Sequence, residues 1–441
     1  MAAFMSALRM PVWLCALMCG VVAVCPAPAA PPNFLFILAD DLGYGDLGCY
    51  GAPDCRTPHL DQLAREGVRL TDFYANGPVC TPTRCALLTG RYPQRLGLEW
   101  AIPPEQSHRG LPPDEPTLAA RLRQRGYHTA LSGKWHLGYG PEHAPNAHGF
   151  ERFFGLLGGN HDYFTHRNRN GQLDLWRDTQ PVQMDGYSTH LITRHAVEFL
   201  EAMRDGPFFL YVAFNAPHWP IQGPNDAHRP ITLKGWTQGT RETYIAMVEA
   251  LDAGVGEILA ALRRLGLETN TLVVFTSDNG GDHCSRNDPL SQGKGTLGEG
   301  GLRVPCLARW PGKIPAHRVS AQVGITMDWT ATMLKLAGAR PPRDRPLDGR
   351  DILPVLTGEQ RPFRRTLFWR RVTPNGVQTH RATRDANWKL IEAGNGDTRL
   401  YDLSRDIAET NNLASAQADR VARLRRALDR WEAEVGPPQR P

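Results

Sequence analysis

The chain has 441 residues, of which 41% are hydrophobic and 22% charged, the balance of a globular protein with a sizeable core. This length suffices for one large domain with a smaller one, or for two medium domains. The formal net charge is only +5, and no run of five or more like charges occurs. We therefore expect neither nucleic acid nor an anionic membrane as a partner, whereas the mild positive excess favours an anionic substrate.

The first thirty residues differ from the rest of the chain. They contain no Asp or Glu and one basic residue, Arg9, before an apolar run from Val12 to Cys25 and a small-residue segment at 27–30. This order is typical of a secretory signal peptide, so residues 1–30 are predicted to be removed and the mature protein to be secreted or periplasmic. A membrane anchor is the alternative, but the run is shorter than the ~20 residues of a spanning helix. A lipoprotein signal at Cys25 is a second alternative, which Val24 disfavours.

Cleavage would leave six cysteines, whose spacing matches no zinc site. They are Cys49, Cys55, Cys80, Cys85, Cys284 and Cys306. Export would permit disulfides, for example between Cys49 and Cys55, but the spacing does not decide the pairing.

Apolar runs alternate with helical patterns from residue 33 onward. Asn33–Ala39, Phe208–Phe214 and Leu272–Thr276 are bounded by turn residues and predict three buried strands. Apolar residues at helical spacing predict three helices. These residues are Leu60, Leu63 and Val68, then Leu118, Ala119 and Leu122, and finally Met247, Val248, Leu251, Val255 and Ile258. The alternation predicts an α/β domain with a large, mostly parallel or mixed central sheet flanked by helices.

Polar residues follow each of the three predicted strands. Asp40 and Asp41 come directly after the first, His218 shortly after the second, and Asp278 and Asn279 after the third. Ligands of such sheets bind beyond the carboxyl ends of the strands. The sequence therefore predicts one site built from three strand ends.

A Pro- and Arg-rich segment at 338–350 is typical of a linker. It predicts a catalytic domain over 31–345 and a small C-terminal α+β subdomain over 346–441. Short strands are predicted at Arg365–Arg371, Trp388–Glu392 and Leu400–Leu403, and a helix at Ala414–Val435.

The most informative stretch runs from Cys80 to Arg91 and reads CTPTRCALLTGR. It resembles the signature of type I, formylglycine-dependent sulfatases: a Cys or Ser, then x-Pro-x-Arg, four residues and Thr-Gly. In that family a separate maturation enzyme oxidises the Cys to Cα-formylglycine, so the resemblance implies that Cys80 becomes the nucleophile. A hydrated aldehyde offers one hydroxyl to attack sulfur and a second to expel sulfate from a covalent sulfo-enzyme intermediate. A buried structural thiol is the alternative.

Two further segments resemble the metal-binding segments of the same family. They contain Asp40 with Asp41, and Asp278 with Asn279. Carboxylate and amide oxygens are hard ligands, which favour Ca²⁺, with Mg²⁺ as the alternative, over a transition metal. The resemblance also implies that the oxidised Cys80 belongs to this ligand set.

Three segments resemble those that surround sulfate in the family. They read GKWHLG from Gly133, APH from Ala216 and QGKGTLGEGG from Gln292. The resemblance implies that Lys134 and Lys294 hold sulfate oxygens. It also implies that His218, with Lys294, protonates the departing alcohol, and that His136 takes the proton that lets sulfate leave. Arg84 and the metal would position the aldehyde hydrate.

Asn160 departs from the family pattern, because some relatives have a hydroxyl residue in contact with sulfate there. We predict that Asn160 donates a hydrogen bond to the substrate instead.

Residues that can bind sugars flank the predicted site, and this stretch looks like those of glycosaminoglycan-type sulfatases. They are His161, Tyr163, His166, Arg167, Arg169, Asn170, Trp176 and Tyr187, and then Trp219, Gln222 and Asn225. Aromatic faces stack on sugar rings, and His, Arg and Asn bind hydroxyl or acidic groups. They predict a sulfated sugar or polysaccharide as substrate, with ordinary surface-loop residues as the alternative.

The resemblance covers most of residues 33–415 and implies an alkaline-phosphatase-like α/β domain with a small antiparallel sheet and helix behind it. The implied activity is that of a sulfuric ester hydrolase, of the arylsulfatase or N-acetylgalactosamine-sulfatase type. A phosphonate or phosphate ester hydrolase of the same superfamily and a non-catalytic carbohydrate-binding relative are the alternatives. The paired lysines favour sulfate, and the intact nucleophile and metal positions favour catalysis.

Overall fold

The computed structural model describes residues 30–226, 235–372 and 379–438. The predicted signal peptide lies outside these residues, apart from Ala30. The strands are β1 (Asn33–Ala39), β2 (Val68–Leu70), β3 (Phe73–Tyr74), β4 (His128–Lys134), β5 (Arg152–Leu156), β6 (Trp176–Arg177), β7 (Gln180–Pro181), β8 (Phe208–Ala213), β9 (Thr271–Ser277), β10 (Cys306–Arg309), β11 (Arg318–Ser320), β12 (Gly324–Ile325), β13 (Thr366–Val372), β14 (Thr379–Asp385), β15 (Trp388–Glu392) and β16 (Thr398–Asp402). The helices are α1 (Pro58–Arg65), α2 (Cys80–Thr89), α3 (Leu118–Arg123), α4 (Ser188–Ala202), α5 (Arg241–Arg264), α6 (Glu299–Leu302), α7 (Met327–Leu336), α8 (Leu353–Thr357) and α9 (Ala418–Val435). No helix among the residues described here is both long and apolar enough to cross a membrane.

A ten-stranded mixed sheet forms the centre of the fold, in the order β11-β2-β10-β9-β1-β8-β4-β5-β6-β7. The inner strands β9, β1, β8, β4 and β5 are parallel, whereas β10 and β6 each pair antiparallel with their inner neighbour. The predicted large, mostly parallel or mixed sheet is therefore confirmed, with a parallel centre and antiparallel pairings toward its edges.

The inner strands are buried on both faces because helices cover each side of the sheet. In β1, Phe34 and Phe36 pack into one hydrophobic core with helices α2, α3 and α7. Leu35 and Ile37 point the opposite way, into a second core with α1, α4 and α5. This is why β1 reads as a continuous apolar run rather than as an alternating pattern.

The prediction that Val68 belongs to the first helix is wrong. Helix α1 ends at Arg65, and Val68 opens β2. A Cβ at Gly67 would lie 2.1 Å from the carbonyl oxygen of Ala308, so only glycine allows the chain to approach β10 this closely.

A four-stranded antiparallel sheet, in the order β13-β14-β15-β16, lies in the C-terminal part, as predicted in kind. Helix α9 packs on it through Leu424, Leu428 and Trp431. The predicted helix began at Ala414, four residues before the observed start at Ala418, and strand β14 was not predicted from its pattern. The domain boundary near residue 345 stays a prediction.

Candidate active site

The carboxyl ends of four adjacent parallel strands meet at one edge of the large sheet. Asp40 and Asp41 follow β1, Asp278 and Asn279 follow β9, and Lys134 is the last residue of β4. His218 lies in the turn beyond β8. Backbone hydrogen bonds fix this edge, because the Asp40 amide donates to Ala216 and the Asp278 amide to Ala39, both over 3.1 Å. The predicted convergence of three strand ends is observed, and β4 adds a fourth.

The oxygen donors of these strand ends form one buried cluster. Asp40, Asp41, Asp278 and Asn279 are each at most 1% exposed. Asn279 Nδ2 donates to Asp41 Oδ1 over 2.7 Å and to the Gly280 carbonyl oxygen over 3.0 Å. Within the described part of the chain, Asn279 Oδ1 is buried and accepts no hydrogen bond.

This donor set fits a hard divalent cation. Ligand atoms of Asp40, Asp41, Cys80 and His218 lie within 4.8 Å of one another. Two of these four ligand atoms are carboxylate oxygens, and the unpartnered amide oxygen of Asn279 adds a further oxygen donor that a buried site would otherwise leave unsatisfied. The residues present therefore suit Ca²⁺ or Mg²⁺.

Cys80 begins helix α2 directly beneath this edge and is 3% exposed. Its Sγ lies 3.4 Å from Asp40 Oδ1 and 3.3 Å from Lys134 Nζ. Burial, and then the charge of Asp40, raises the pKa of the Cys80 thiol well above its ordinary range. An unmodified thiol here would be protonated and a poor nucleophile.

All six cysteines from Cys49 to Cys306 are free thiols in this structure, so the possible bridge between Cys49 and Cys55 is not formed.

Three cations face the carboxylates, and two of them, Arg84 and Lys134, are fully buried. Arg84 is fully buried and donates to Asp278 Oδ2 through Nε over 3.0 Å and Nη2 over 2.8 Å. Lys134 Nζ lies 2.5 Å from Asp40 Oδ2, and Lys294 Nζ lies 2.5 Å from Asp41 Oδ2. Burial alone would raise the pKa of Asp278, but Arg84 and then Lys134 outweigh it and hold that pKa below its ordinary value.

The two predicted histidines have different hydrogen-bonding roles. His218 Nδ1 lies 2.6 Å from the carbonyl oxygen of Trp219 and must donate to it, which leaves Nε2 to accept from Lys294 Nζ over 3.1 Å. His136 Nε2 donates likewise to the carbonyl oxygen of Ile102 over 3.2 Å. Its Nδ1 therefore carries a lone pair, for which no partner exists among the residues described. Burial, then Lys294 for His218 and Lys134 for His136, lowers the pKa of both rings, so both are neutral bases.

The backbone at two of these residues is strained. Asp41 has φ 64° and His136 has φ 57°, in the left-handed region that non-glycine residues seldom adopt. Such residues cluster at functional sites. Gly159 permits the approach to the His136 ring, because a Cβ there would lie 2.8 Å from its Cε1.

A cavity of about 510 Å³ opens above the cluster. Cys80, His136, His218 and Lys294 form its floor together with Asn160. Residues that line its walls include Trp100, Ile102, Glu105, Tyr139, Asn168, Arg169, Asn170 and Trp219. Arg84 and Lys134 lie below this floor and are shielded from solvent. The structure therefore brings all of the predicted site residues together.

The Sulfatase family profile matches residues 32–339, about 70% of the chain. The chain belongs to the sulfatase family. A second profile, N-sulphoglucosamine sulphohydrolase, C-terminal, matches residues 293–434. The protein is accordingly a sulfuric ester hydrolase, as the sequence predicts.

Among curated relatives, this sulfatase is 38% identical to N-acetylgalactosamine-6-sulfatase of Canis lupus familiaris, over 82% of this chain and 74% of the relative. It is 38% identical to human arylsulfatase A, over 91% of this chain and 87% of the relative. Among solved structures, Ps i-CgsB in complex with k-i-k-neocarrahexaose is 33% identical, with a TM-score of 0.85, over 93% of this chain and 94% of that chain. The predicted alkaline-phosphatase-like fold is confirmed.

Several residues that line the cavity of this sulfatase were not predicted from the sequence. The wall formed by Trp100, Ile102 and Glu105 comes from an irregular Pro-rich loop without a periodic pattern, so only its lone tryptophan gave a local signal. Conversely, Tyr163, His161 and other residues predicted to bind sugar are core residues. The residues buried in this way are His161, Tyr163, His166, Tyr187 and Gln222.

Proposed function

We propose that this sulfatase hydrolyses a sulfate ester of a sulfated carbohydrate, with formylglycine formed from Cys80 as its nucleophile and Ca²⁺, or else Mg²⁺, as its metal. The observation that carries the proposal is the floor of the cavity. There Cys80 Sγ lies beside the ion pair of Lys134 and Asp40, at 3.3 Å and 3.4 Å, and two neutral histidines and Lys294 line the same cavity.

Asp40, Asp41, Asp278 and Asn279 would hold the metal. Bound there, the cation would lower the pKa of a hydroxyl at position 80 and help to orient it. Arg84 holds Asp278 from below through two hydrogen bonds, so that this carboxylate keeps its orientation and charge.

The modification at Cys80 would supply a hydrated aldehyde, in which one hydroxyl attacks sulfur and the other expels sulfate. Export of the chain and an encounter with a separate maturation enzyme belong to this proposal. A thiol at this position would be protonated, and its sulfur adduct would have no internal route of release.

Lys294 lines the floor of the cavity and Lys134 lies below it, 3.3 Å from Cys80 Sγ, and both would bind the sulfate oxygens. Both ammonium groups touch carboxylates in this structure, at 2.5 Å each. Fixed cations in a buried setting stabilise the charge that develops on a sulfuryl group and its leaving oxygen.

The two histidines suit the two proton transfers. Lys294 donates to Nε2 of His218, so this pair can pass a proton to the departing alcohol. The free Nδ1 of His136 can take the proton from the hydroxyl whose deprotonation releases sulfate. Asn160, at the same floor, would donate a hydrogen bond to the substrate.

The cavity wall supports a carbohydrate substrate. Trp100 and Trp219 are tryptophans that can stack on sugar rings, and Asn168, Arg169 and Asn170 bring polar groups to the rim. The relatives include an N-acetylgalactosamine-6-sulfatase and a structure that holds a neocarrahexaose. Secretion or periplasmic export would bring the enzyme to such polysaccharides.

The nucleophile is tested by mass spectrometry of the tryptic peptide that contains Cys80, from protein made in a host with a maturation enzyme. Sulfur should be replaced by oxygen with loss of two hydrogens. Cys80→Ala should abolish turnover and leave the fold intact. A fully active protein that retains the unmodified thiol would refute this part of the proposal.

The substrate class is tested by kcat/KM on sulfated mono- and oligosaccharides against a nitrophenyl sulfate. At least one sugar should be far better than the aryl ester, and Trp219→Ala should reduce kcat/KM for that sugar more than for the aryl ester. Equal losses on both substrates, or activity on phosphonate esters alone, would contradict the proposal.

A further inference from the structure

We propose that Glu409 is a positioning residue for Lys294, because its carboxylate ties together both ends of the glycine-rich loop that carries this lysine. The loop comprises residues 291–299 and is called the lysine loop here. The inference rests on the proposed role of Lys294 in binding sulfate. It adds a contribution from the C-terminal part of the chain, 118 residues after Ser291.

One carboxylate oxygen of Glu409 bonds to both ends of the lysine loop. Ser291 Oγ donates to Glu409 Oε2 over 2.8 Å, and the Glu299 backbone amide donates to the same oxygen over 2.7 Å. The loop is also closed internally, since the Gly300 amide donates to the Ser291 carbonyl over 2.8 Å. Hydrogen bonds to a charged acceptor are stronger than those between neutral groups.

The lysine loop needs such external bonds because its own sequence does little to fix it. Gly293, Gly295 and Gly298 lack side chains, and Gly295 has φ 79°. Glycine loses more conformational freedom on ordering than any other residue. Two backbone bonds hold the middle of the loop, from Lys294 N to Gly281 and from Gly295 N to Pro78. Apart from Glu409, the first end of the loop is held by the Gly300 bond and by Asn287, which donates to the Gln292 carbonyl over 3.3 Å. The other end is held through the Glu299 side chain, which accepts from Tyr74, Arg303 and Lys389. Glu409 is the group that joins the two ends to each other.

Glu409 is itself held firmly. Its side chain is about 1% exposed, and Oε1 lies 3.0 Å from Lys389 Nζ. Lys389, on β15, also lies 2.8 Å from Glu299 Oε1. The Glu409 backbone has φ 55°, where a glycine or asparagine is usual and glutamate is strained. This strained backbone conformation places the Glu409 carboxylate against the lysine loop.

The position of Lys294 depends on this arrangement. Its ammonium group must reach both Asp41 Oδ2 at 2.5 Å and His218 Nε2 at 3.1 Å. A displacement of about 1 Å, from a change remote from the chemistry, can cost ~10²-fold in rate. Loosening of the lysine loop would therefore reduce catalysis without touching the reacting atoms.

The test is a double-mutant cycle in the full chain, with kcat/KM on nitrophenyl sulfate. Glu409→Ala should lower kcat/KM by roughly 10- to 100-fold. In a Lys294→Ala background the same change should have almost no further effect, because its consequence runs through Lys294. Glu409→Gln keeps an acceptor oxygen and should recover part of the loss.

Glu392→Ala is the matched control. Glu392 is a buried carboxylate of β15, the strand that also carries Lys389, and it is bonded to Arg381 and Arg425 rather than to the lysine loop. The Glu392→Ala protein should be less stable than the unsubstituted protein and should keep its kcat/KM. Ser291→Ala is the milder variant should Glu409→Ala not fold, and it should lower kcat/KM several-fold only when Lys294 is present.

Equal effects of Glu409→Ala with and without Lys294, in folded protein, would overturn the positioning role alone. An unchanged kcat/KM in Glu409→Ala would do the same. No loss in Lys294→Ala itself would instead overturn the proposed role of Lys294, and the positioning role with it.

Discussion

Two buried charge clusters of this sulfatase contain the same number of charges but differ in their electrostatics. The active-site cluster comprises Asp40, Asp41, Asp278, Arg84, Lys134 and Lys294, the last of which is 15% exposed at the cavity. The junction cluster lies between the large and small sheets and comprises Asp72, Glu299, Glu409, Arg303, Arg384 and Lys389. Each has three carboxylates and three cations. The comparison therefore isolates the effect of arrangement from that of net charge.

In the active-site cluster the carboxylates crowd one another. Burial, and then the neighbouring charge of Asp278, raises the pKa of Asp40 to about 8 despite Lys134 and Arg84. Burial also raises the pKa of Asp41, even though Lys294 lowers it. The cations of this cluster therefore do not fully stabilise its ionised carboxylates, and Asn279 Oδ1 has no hydrogen-bond partner among the described residues. A further cation would satisfy both.

In the junction cluster carboxylates and cations are interleaved. Glu299 accepts from Lys389 over 2.8 Å, from Arg303 over 3.3 Å and from the Tyr74 hydroxyl over 2.6 Å. Burial would raise the pKa of Glu299, but Lys389 and then Arg303 outweigh it and lower that pKa to about 2. Two clusters with equal numbers of charges thus serve different ends: the junction cluster is balanced by its own cations and holds the lysine loop, whereas the active-site cluster is suited to a metal and a substrate.

The largest expected effect is on activity in the active-site cluster. Asp278→Asn keeps the shape but removes one of the negative charges that a divalent cation needs. We expect a loss in kcat/KM on the order of 10³-fold, about 4 kcal/mol, together with loss of bound metal. Kinetics and metal analysis of the purified protein measure both.

Asp252→Asn is the control for this loss. Asp252 is also a buried aspartate, but it accepts from the backbone amides of His59 and Leu60 at the start of α1. Its variant should keep metal and kcat/KM. An Asp278→Asn enzyme that is fully active without bound metal would contradict the view that the active-site cluster needs a further cation.

The sequence predicted the active-site cluster far better than the junction cluster. Asp40 and Asp278 directly follow continuous apolar strands, and the topology of parallel strands brings such ends together. The signature around Cys80 then placed Arg84. Local patterns and a family resemblance were sufficient for these residues.

The junction cluster has no comparable signal. Glu299, Lys389 and Glu409 are single charged residues in different segments, and a lone charge in a sequence is usually solvated. They meet because the small sheet packs against the lysine loop, which depends on tertiary contacts. The same limit explains the wrong prediction for Val68. Its apolar side chain fits the helical pattern of α1, but the close approach of Gly67 to β10 is a tertiary contact, and the helix ends before it.

The second expected effect is on stability in the junction cluster. Lys389→Met leaves Glu299 and Glu409 buried without their shared cation. We expect the free energy of unfolding to fall by about 3–5 kcal/mol. Urea unfolding, followed by circular dichroism, measures the difference from the unsubstituted protein.

The pH dependence of that difference sharpens the test. The pKa of Glu299 is about 2 in the folded protein, against an ordinary value of 4.5, so its ionised form stabilises the fold at all pH values above 4.5. This contribution is lost as the pH falls from 4.5 toward 2. The advantage of the unsubstituted protein over Lys389→Met should shrink in that window. A constant difference would contradict the low pKa.

The smallest expected effect is the one that compares the two clusters most directly, namely stabilisation by added Ca²⁺ after chelation. A cation that binds only the folded state adds RT ln(1 + [L]/Kd), about 2.7 kcal/mol at a hundredfold excess over Kd. The unsubstituted protein and Lys389→Met should gain this amount equally, because Lys389→Met changes the junction cluster and leaves the proposed metal ligands Asp40, Asp41, Asp278 and Asn279 unaltered. Asp278→Asn should gain little, since its site lacks a carboxylate. Thermal unfolding at increasing Ca²⁺, with Mg²⁺ in parallel, gives the three curves. If Asp278→Asn were stabilised as much as the other two, the cation would bind elsewhere, and the crowding of Asp40 and Asp41 would need another explanation.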